Sequence, residues 1–373
     1  MGGWMLAAAL ALGSPGPPVA EVAPVAAEPA PAAPAVQAPA AAAPPPAVEE
    51  VVALPPALSQ LVADQVVAPP GSDLQRLQRL LDLVFSADGL GIQYRDDATL
   101  TVGQAYQARE ANCLTFTLVF IALAREAGLD AYGQEIDETL AWRQQGSTIY
   151  RTNHVNAGIR IGGRRYTVDV ASDRVITRHP PERVSDQRLL SHFYNNRAAD
   201  LITQHAVDDA ARHMHIALQL DPGYANSWSN QGVVHLRQGK LAQARLAYRR
   251  ALELEPTHAP ALSNMLTLAQ RTGDPGGEAE YRSRLERVQA RDPFHQFLLA
   301  SDHERHGRYA LAATHYQRAI RLHGSEHRFH LGLARAYLQL GEPRRAQRAL
   351  RRAQALRGEL PAQGPESAWL VMP

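Results

Sequence analysis

The 373-residue sequence predicts an α+β domain joined to an all-α superhelix of repeats, behind a disordered N-terminus rich in Ala and Pro. Three observations carry this reading. Residues 15–58 are dominated by Ala and Pro. Residues 107–127, QAREANCLTFTLVFIALAREA, form an almost wholly apolar stretch around the only cysteine, Cys113, and a hairpin pattern follows it. From about Ser191 onward, small or apolar residues recur every 34 positions.

Residues 4–12, WMLAAALAL, are too short an apolar run to span a bilayer and suit the central segment of an export signal. No Lys or Arg precedes them. Residues 1–14 are therefore expected to be a signal segment and the protein exported to the periplasm; a cytoplasmic protein with an Ala-rich end is the alternative. Dense proline blocks helices and sheets and favours extended chain. The sequence thus predicts a disordered linker over 15–71.

Order is expected to resume near Ser72. SDLQRLQRLLDLVF offers a cap in Ser72 or Asp73 and an apolar face of Leu74, Leu77, Leu80, Leu81 and Val84. An extended piece, a cap at Thr101 and a short helix lead to Cys113. Leu114, Leu118, Ile121 and Ala122 then share one face, while Phe116, Val119, Phe120 and Leu123 fill most of the rest. A helix over about 113–127, buried nearly all round, follows from this, with Gly128 at its end. Its first residue is the thiol, placed where free N–H groups and the helix dipole favour negative charge. Strands are expected at about 130–137, 152–161 and 164–171, the last two joined by Gly162-Gly163. His154 opens one of them and Asp169 nearly closes its neighbour, so a nucleophile, a base and an orienting carboxylate come within reach of one another.

NCLTFTLVFIALAREAGLDAYGQEI followed by NHVNAGIRI resembles the transglutaminase-like (papain-related) superfamily, in its bacterial branch that carries tetratricopeptide repeats. The resemblance covers roughly residues 73–175. It implies a transglutaminase-like domain over 72–185, with Cys113 as nucleophile, His154 as general base and acid, and Asp169 orienting the imidazole. It also implies an oxyanion-hole donor at Gln107, with Gln104 as the rival position. No cofactor is implied. Trp142 could wall a substrate groove or cover a sheet edge.

The repeats are read from ANSWSNQGVVHLRQGKLAQARLAYRRALELEP (225–256). One crossing position runs Ala198, Gly232, Leu266, Ala300, Ala334. A second runs Ala210, Ala244, Glu278, Ala312, Ala346, and a third Ala217, Ala251, Leu285, Ala319, Ala353. Gly239, Gly273, Gly307 and Gly341 mark the turn inside each unit. A 34-residue helix–turn–helix period is the tetratricopeptide signature, giving five repeats over 191–358 and a tail over 359–373. The third unit is degenerate near Asp274–Gly277 and is expected to bend the array. Such arrays take protein or peptide partners on a concave face.

A net charge of +1 gives no basis for a nucleic-acid partner, although residues 1–72 carry −5 and the remainder +6. No integral membrane span is expected. One cysteine excludes an internal disulfide and a multi-cysteine zinc site. His303 and His306 lie one helical turn apart, yet no acidic or cysteine partner converges on them, so no metal site is expected. Two functions follow: a cysteine-dependent acyl-transfer enzyme (hydrolase or transglutaminase) acting on a protein recruited by the repeats, or a non-catalytic scaffold or envelope assembly factor.

Overall fold

The computed structural model describes residues 44–86, 88–136, 140–141, 154–170, 175–176, 181–358 and 370–371. The expected signal segment, Trp142 and the segment 359–369 lie outside them. The first correction comes at once, because the linker expected to reach residue 71 is folded from its described start. Helices α1 (Val48–Val52) and α2 (Pro56–Val62) form, and α2 continues as a wider π turn over Ala63–Val67. The physical reason is an apolar stripe at near-helical spacing: Val51, Leu58, Val62 and Val66 are wholly buried. Tyr194 donates its hydroxyl to Pro46 O at 2.7 Å, tying this segment to the first repeat.

Helix α3 (Asp73–Phe85) is capped by Ser72, whose N–H donates to Gln75 Oε1 at 2.8 Å while its hydroxyl accepts Gln75 N–H at 3.3 Å. A short strand β1 (Gln93–Tyr94) pairs in parallel with β2 (Glu110–Ala111), and α4 (Val102–Ala108) lies between them in sequence, capped by Thr101. Helix α5 (Cys113–Glu126) follows and ends at Ala127, with Gly128 in the left-handed region at φ 76°. All of it from Leu114 to Ala124 is buried except Ala122, as an all-round apolar helix requires.

Strands β3 (Asp130–Ile136), β5 (His154–Ile161), β6 (Arg164–Val168) and β8 (Glu182–Val184) join β9 (Leu370–Val371) in one antiparallel sheet of order β8-β3-β5-β6-β9. Strands β4 (Leu140–Ala141) and β7 (Val175–Ile176) form a separate antiparallel pair. Residues 370–371 of the expected tail therefore add a strand to the sheet edge. Helix α5 packs across β3 and β5, and Thr117 of α5 bridges the two layers, reaching Val155 O at 3.2 Å.

Ten helices follow as five antiparallel pairs. They are α6 (Asp186–Thr203) with α7 (Val207–Leu220), α8 (Ala225–Arg237) with α9 (Leu241–Leu254), and α10 (Ala259–Thr272) with α11 (Pro275–Ala290). α12 (Pro293–Arg305) with α13 (Tyr309–Leu322), and α14 (His327–Gln339) with α15 (Pro343–Gly358), complete the array. Small residues at the crossings admit bulky neighbours: a Cβ on Gly232 would lie 2.3 Å from the Tyr248 ring. Buried apolar side chains from the N-terminal helices through Leu285 of α11 form one cluster, and those from Phe294 onward form a second. The break falls at α11, where only Leu285 is buried, in the repeat whose second helix is degenerate in sequence.

Candidate active site

Cys113 occupies the first turn of α5, and Asn112 builds that helix start. Asn112 is fully buried and extended (φ −87°, ψ −178°), and its Oδ1 accepts the Thr115 N–H at 2.9 Å. Its Nδ2 donates to Thr99 Oγ1 at 2.8 Å and its N–H to Ala98 O at 3.2 Å. Thr115 fastens the same loop, donating its hydroxyl to Ala98 O at 2.9 Å and accepting Leu100 N–H at 2.9 Å. The backbone around the thiol is thus held from two sides. Cys113 is half-buried and is a free thiol. Among the described hydrogen bonds its own N–H and that of Leu114 have no acceptor, as expected of a helix's first turn.

His154 stands at the start of β5. Ala157 pairs with Val168, so the same register continued sets Asn156 opposite Asp169 and His154 two residues along on the same face. The ring Nε2 lies 2.9 Å from Asp169 Oδ1 and 2.7 Å from Oδ2, and both residues are buried. Asn156 Nδ2 donates to Asp169 Oδ2 at 3.1 Å. Burial alone would disfavour the charged imidazole. The Asp169 carboxylate and, secondarily, the Cys113 sulfur that hydrogen-bonds the ring outweigh it, so His154 is pushed up to about 10. The balance is shifted toward the charged imidazolium. Nε2 is committed to Asp169, which leaves Nδ1 as the nitrogen facing the thiol.

The structure thus brings together Cys113, His154 and Asp169. Gln107 does not join them through any described hydrogen bond; it is exposed in the last turn of α4. Gln104 is committed to the Thr101 cap, accepting Thr101 N–H at 3.0 Å. Sequence reading missed Asn112, Thr115 and Asn156. The first two carried a signal, since Asn is a favoured N-cap residue and its side chain takes the N–H three residues on. Among the described residues no group of three His, Cys, Asp or Glu side chains could hold a metal ion. His303 stacks on His315 with ring centres 5.2 Å apart, and His306 Nδ1 turns to Asp302 O at 2.8 Å.

A second buried polar group joins the sheet to the repeats. Glu135 of β3 lies 3.4 Å from His192 Nε2 and accepts Arg188 Nε–H at 3.1 Å, both partners on α6. Arg188 also donates to Asp221 at 2.7 Å and stacks 4.0 Å over the Tyr224 ring. Burial would raise the Glu135 carboxyl, but His192 and Arg188 outweigh it and hold it at about 2.

Residues 225–258 match one family model described as tetratricopeptide repeat, and residues 305–362 match another. The chain carries tetratricopeptide repeats. The chain is similar to Protein O-mannosyl-transferase TMTC1 of Homo sapiens, 34% identical over 71 residues, which is 19% of this chain and 8% of that protein. It is similar to the Hsp70-Hsp90 organizing protein of Triticum aestivum, 35% identical over 66 residues, 18% of this chain and 11% of that protein. These matches thus span about a tenth of the relatives' own length. Among solved structures, MamA protein is similar over 47% of this chain and 97% of its own, at 15% identity and a TM-score of 0.27. YrrB, a tetratricopeptide protein with an unusual peptide-binding site, is similar over 45% and 87%, at 16% identity and a TM-score of 0.25. Among the described residues no helix is long and apolar enough to cross a membrane.

Proposed function

We propose that this protein is an interaction scaffold that binds a protein or peptide partner through its repeat array. The observation that carries this is the stack of five helix pairs at a 34-residue period, two stretches of which match tetratricopeptide models. A peptide-display selection on the full chain, followed by hydrogen-exchange mapping of the selected peptide, tests it. Protection is expected on α6, α8, α10, α12 and α14, the first helices of the repeats. Failure to select any peptide, or protection confined to the sheet, would overturn it.

A second reading rests on a different observation, the buried His154–Asp169 pair beside a helix-start cysteine. Here the scaffold also performs acyl transfer on the partner it holds. The Cys113 sulfur attacks an amide carbonyl, a Gln side chain or a peptide bond, and the carbonyl carbon becomes tetrahedral. First-turn N–H groups of α5 face the developing oxyanion. The His154 imidazolium gives its Nδ1 proton to the nitrogen as the C–N bond breaks, and the amine leaves behind a thioester. Water or an amine then attacks the thioester carbonyl, His154 takes its proton, and the C–S bond breaks to release the acyl product and return the Cys113 thiolate. Asp169 holds the ring in place throughout.

The Gln107 oxyanion role belongs to this proposal and is tested by Gln107→Ala. Loss of a true oxyanion donor lowers turnover roughly 100-fold or more, whereas an unchanged rate leaves that task to the helix N–H groups. Comparisons support the scaffold reading; the acyl-transfer reading rests on site geometry. Export through residues 1–14 is likewise a proposal, tested by cell fractionation of the full chain.

A further inference from the structure

The last three helices differ from the rest of the array in charge. Helices α13, α14 and α15 contain ten arginines and no Asp or Glu. Three of those arginines meet acids from neighbouring segments: Arg328 with Glu326, Arg335 with Glu304, and Arg345 with Glu342. Between the second helices α13 and α15, across α14, lies a groove of about 480 Å³. Arg321, Arg348 and Arg352 line it, are exposed, and have no acidic partner among the described residues. Its floor is apolar, formed by Ile320, Leu333 and Ala349.

One further group faces this groove with capacity to spare. The Tyr337 hydroxyl accepts Gln317 Nε2–H at 2.5 Å and Arg345 Nη2–H at 2.5 Å. A hydroxyl that accepts twice retains its single hydrogen for donation. Arg345, paired with Glu342, orients Tyr337 and contributes no uncompensated charge.

We infer that this groove is a binding site for an acidic peptide segment whose carboxylates alternate with aliphatic side chains. The inference rests on the scaffold reading and locates one of its contacts on the last three helices of the array, with its arginines on the second helices α13 and α15. Three guanidinium groups with no acid partner among the described residues supply forked donors for carboxylates. The apolar floor takes the intervening side chains and gives nothing to a sugar–phosphate backbone, which favours peptide over nucleic acid. A solvated basic face would carry the charge without a groove or an apolar floor beneath it.

The test uses the full chain and fluorescence anisotropy with a labelled peptide of five Glu-Leu pairs. Arg348→Gln/Arg352→Gln should weaken binding by about tenfold or more through lost charge-assisted pairs. Arg351→Gln/Arg357→Gln makes the same charge change on α15 outside the groove and should leave binding within about twofold. A Gln-Leu peptide should bind more weakly than the Glu-Leu peptide. Equal losses in the two double variants would reduce the effect to general charge and overturn the site. Tighter binding of oligothymidine, or no binding of the Glu-Leu peptide, would overturn it as well. Circular dichroism of each variant separates lost binding from lost folding. A negative result here leaves the first-helix protection expected for the scaffold untouched, so the two failures are distinguishable.

Discussion

Asp169 takes the His154 ring on both carboxylate oxygens and Asn156 on one of them, all inside the protein. That arrangement makes stability depend on pH in a defined direction. Because the folded-state value for His154 is raised to about 10, its contribution is complete below the unfolded value of about 6.5 and is lost as pH rises through about 10. The melting-temperature gap between wild type and Asp169→Asn should accordingly narrow between about pH 6.5 and 10; a gap constant across that window would mean the ring is neutral in the fold. Glu135 acts in the opposite sense. Its contribution is present above about pH 4.3 and is lost as pH falls through about 2. Glu135→Gln leaves Arg188 and His192 beside a neutral partner and should cost about 3 kcal/mol in urea unfolding at pH 7. A cost below about 1 kcal/mol would place the pair among ordinary surface bridges.

At the scale of elements, the repeat turns give the sharpest comparison. Gly239, Gly273, Gly307 and Gly341 all adopt φ between 64° and 75°, the left-handed region, and His205 holds the equivalent place in the first repeat at φ 62°. His205→Gly should therefore stabilise the chain by up to about 1 kcal/mol and Gly307→Ala destabilise it by about 1 kcal/mol, both read by thermal melting. The reverse order would show that the turns are not what limits these hairpins. The crossing positions were legible in sequence because small side chains there are a packing requirement. All fifteen are buried in the fold except Glu278, the one charged residue among them. The Cys113 helix and the Gly162-Gly163 hairpin were legible for the same reason, since burial and turn geometry dictate residue type. Helices α1 and α2 were not, because their apolar spacing begins within a run of Ala and Pro and gains meaning only against the surface they cover. The edge strand β9 was not legible either, since its backbone pairing with Thr167 and Val168 leaves no local pattern.

For the whole molecule, the two apolar clusters matter most. The first joins the N-terminal helices, the sheet, the cysteine helix and the repeats through α11, and the second begins at Phe294. Calorimetry of the full chain should resolve two transitions, and Phe297→Ala, at about 3 kcal/mol, should lower only one of them. A single transition displaced as a unit would show that α11 transmits packing between the clusters. This division sets the cysteine site in the same packed body as the first repeats, while the arginine groove belongs to the last two.

The claim that this scaffold carries a chemically active cysteine is tested most directly by the rate of Cys113 alkylation with dilute iodoacetamide at about pH 6, in wild type and in His154→Ala. Rapid alkylation that falls by about tenfold or more in the variant is the predicted result. Slow and equal rates in the two proteins would contradict it, and the repeat array would then stand as the functional part of the chain.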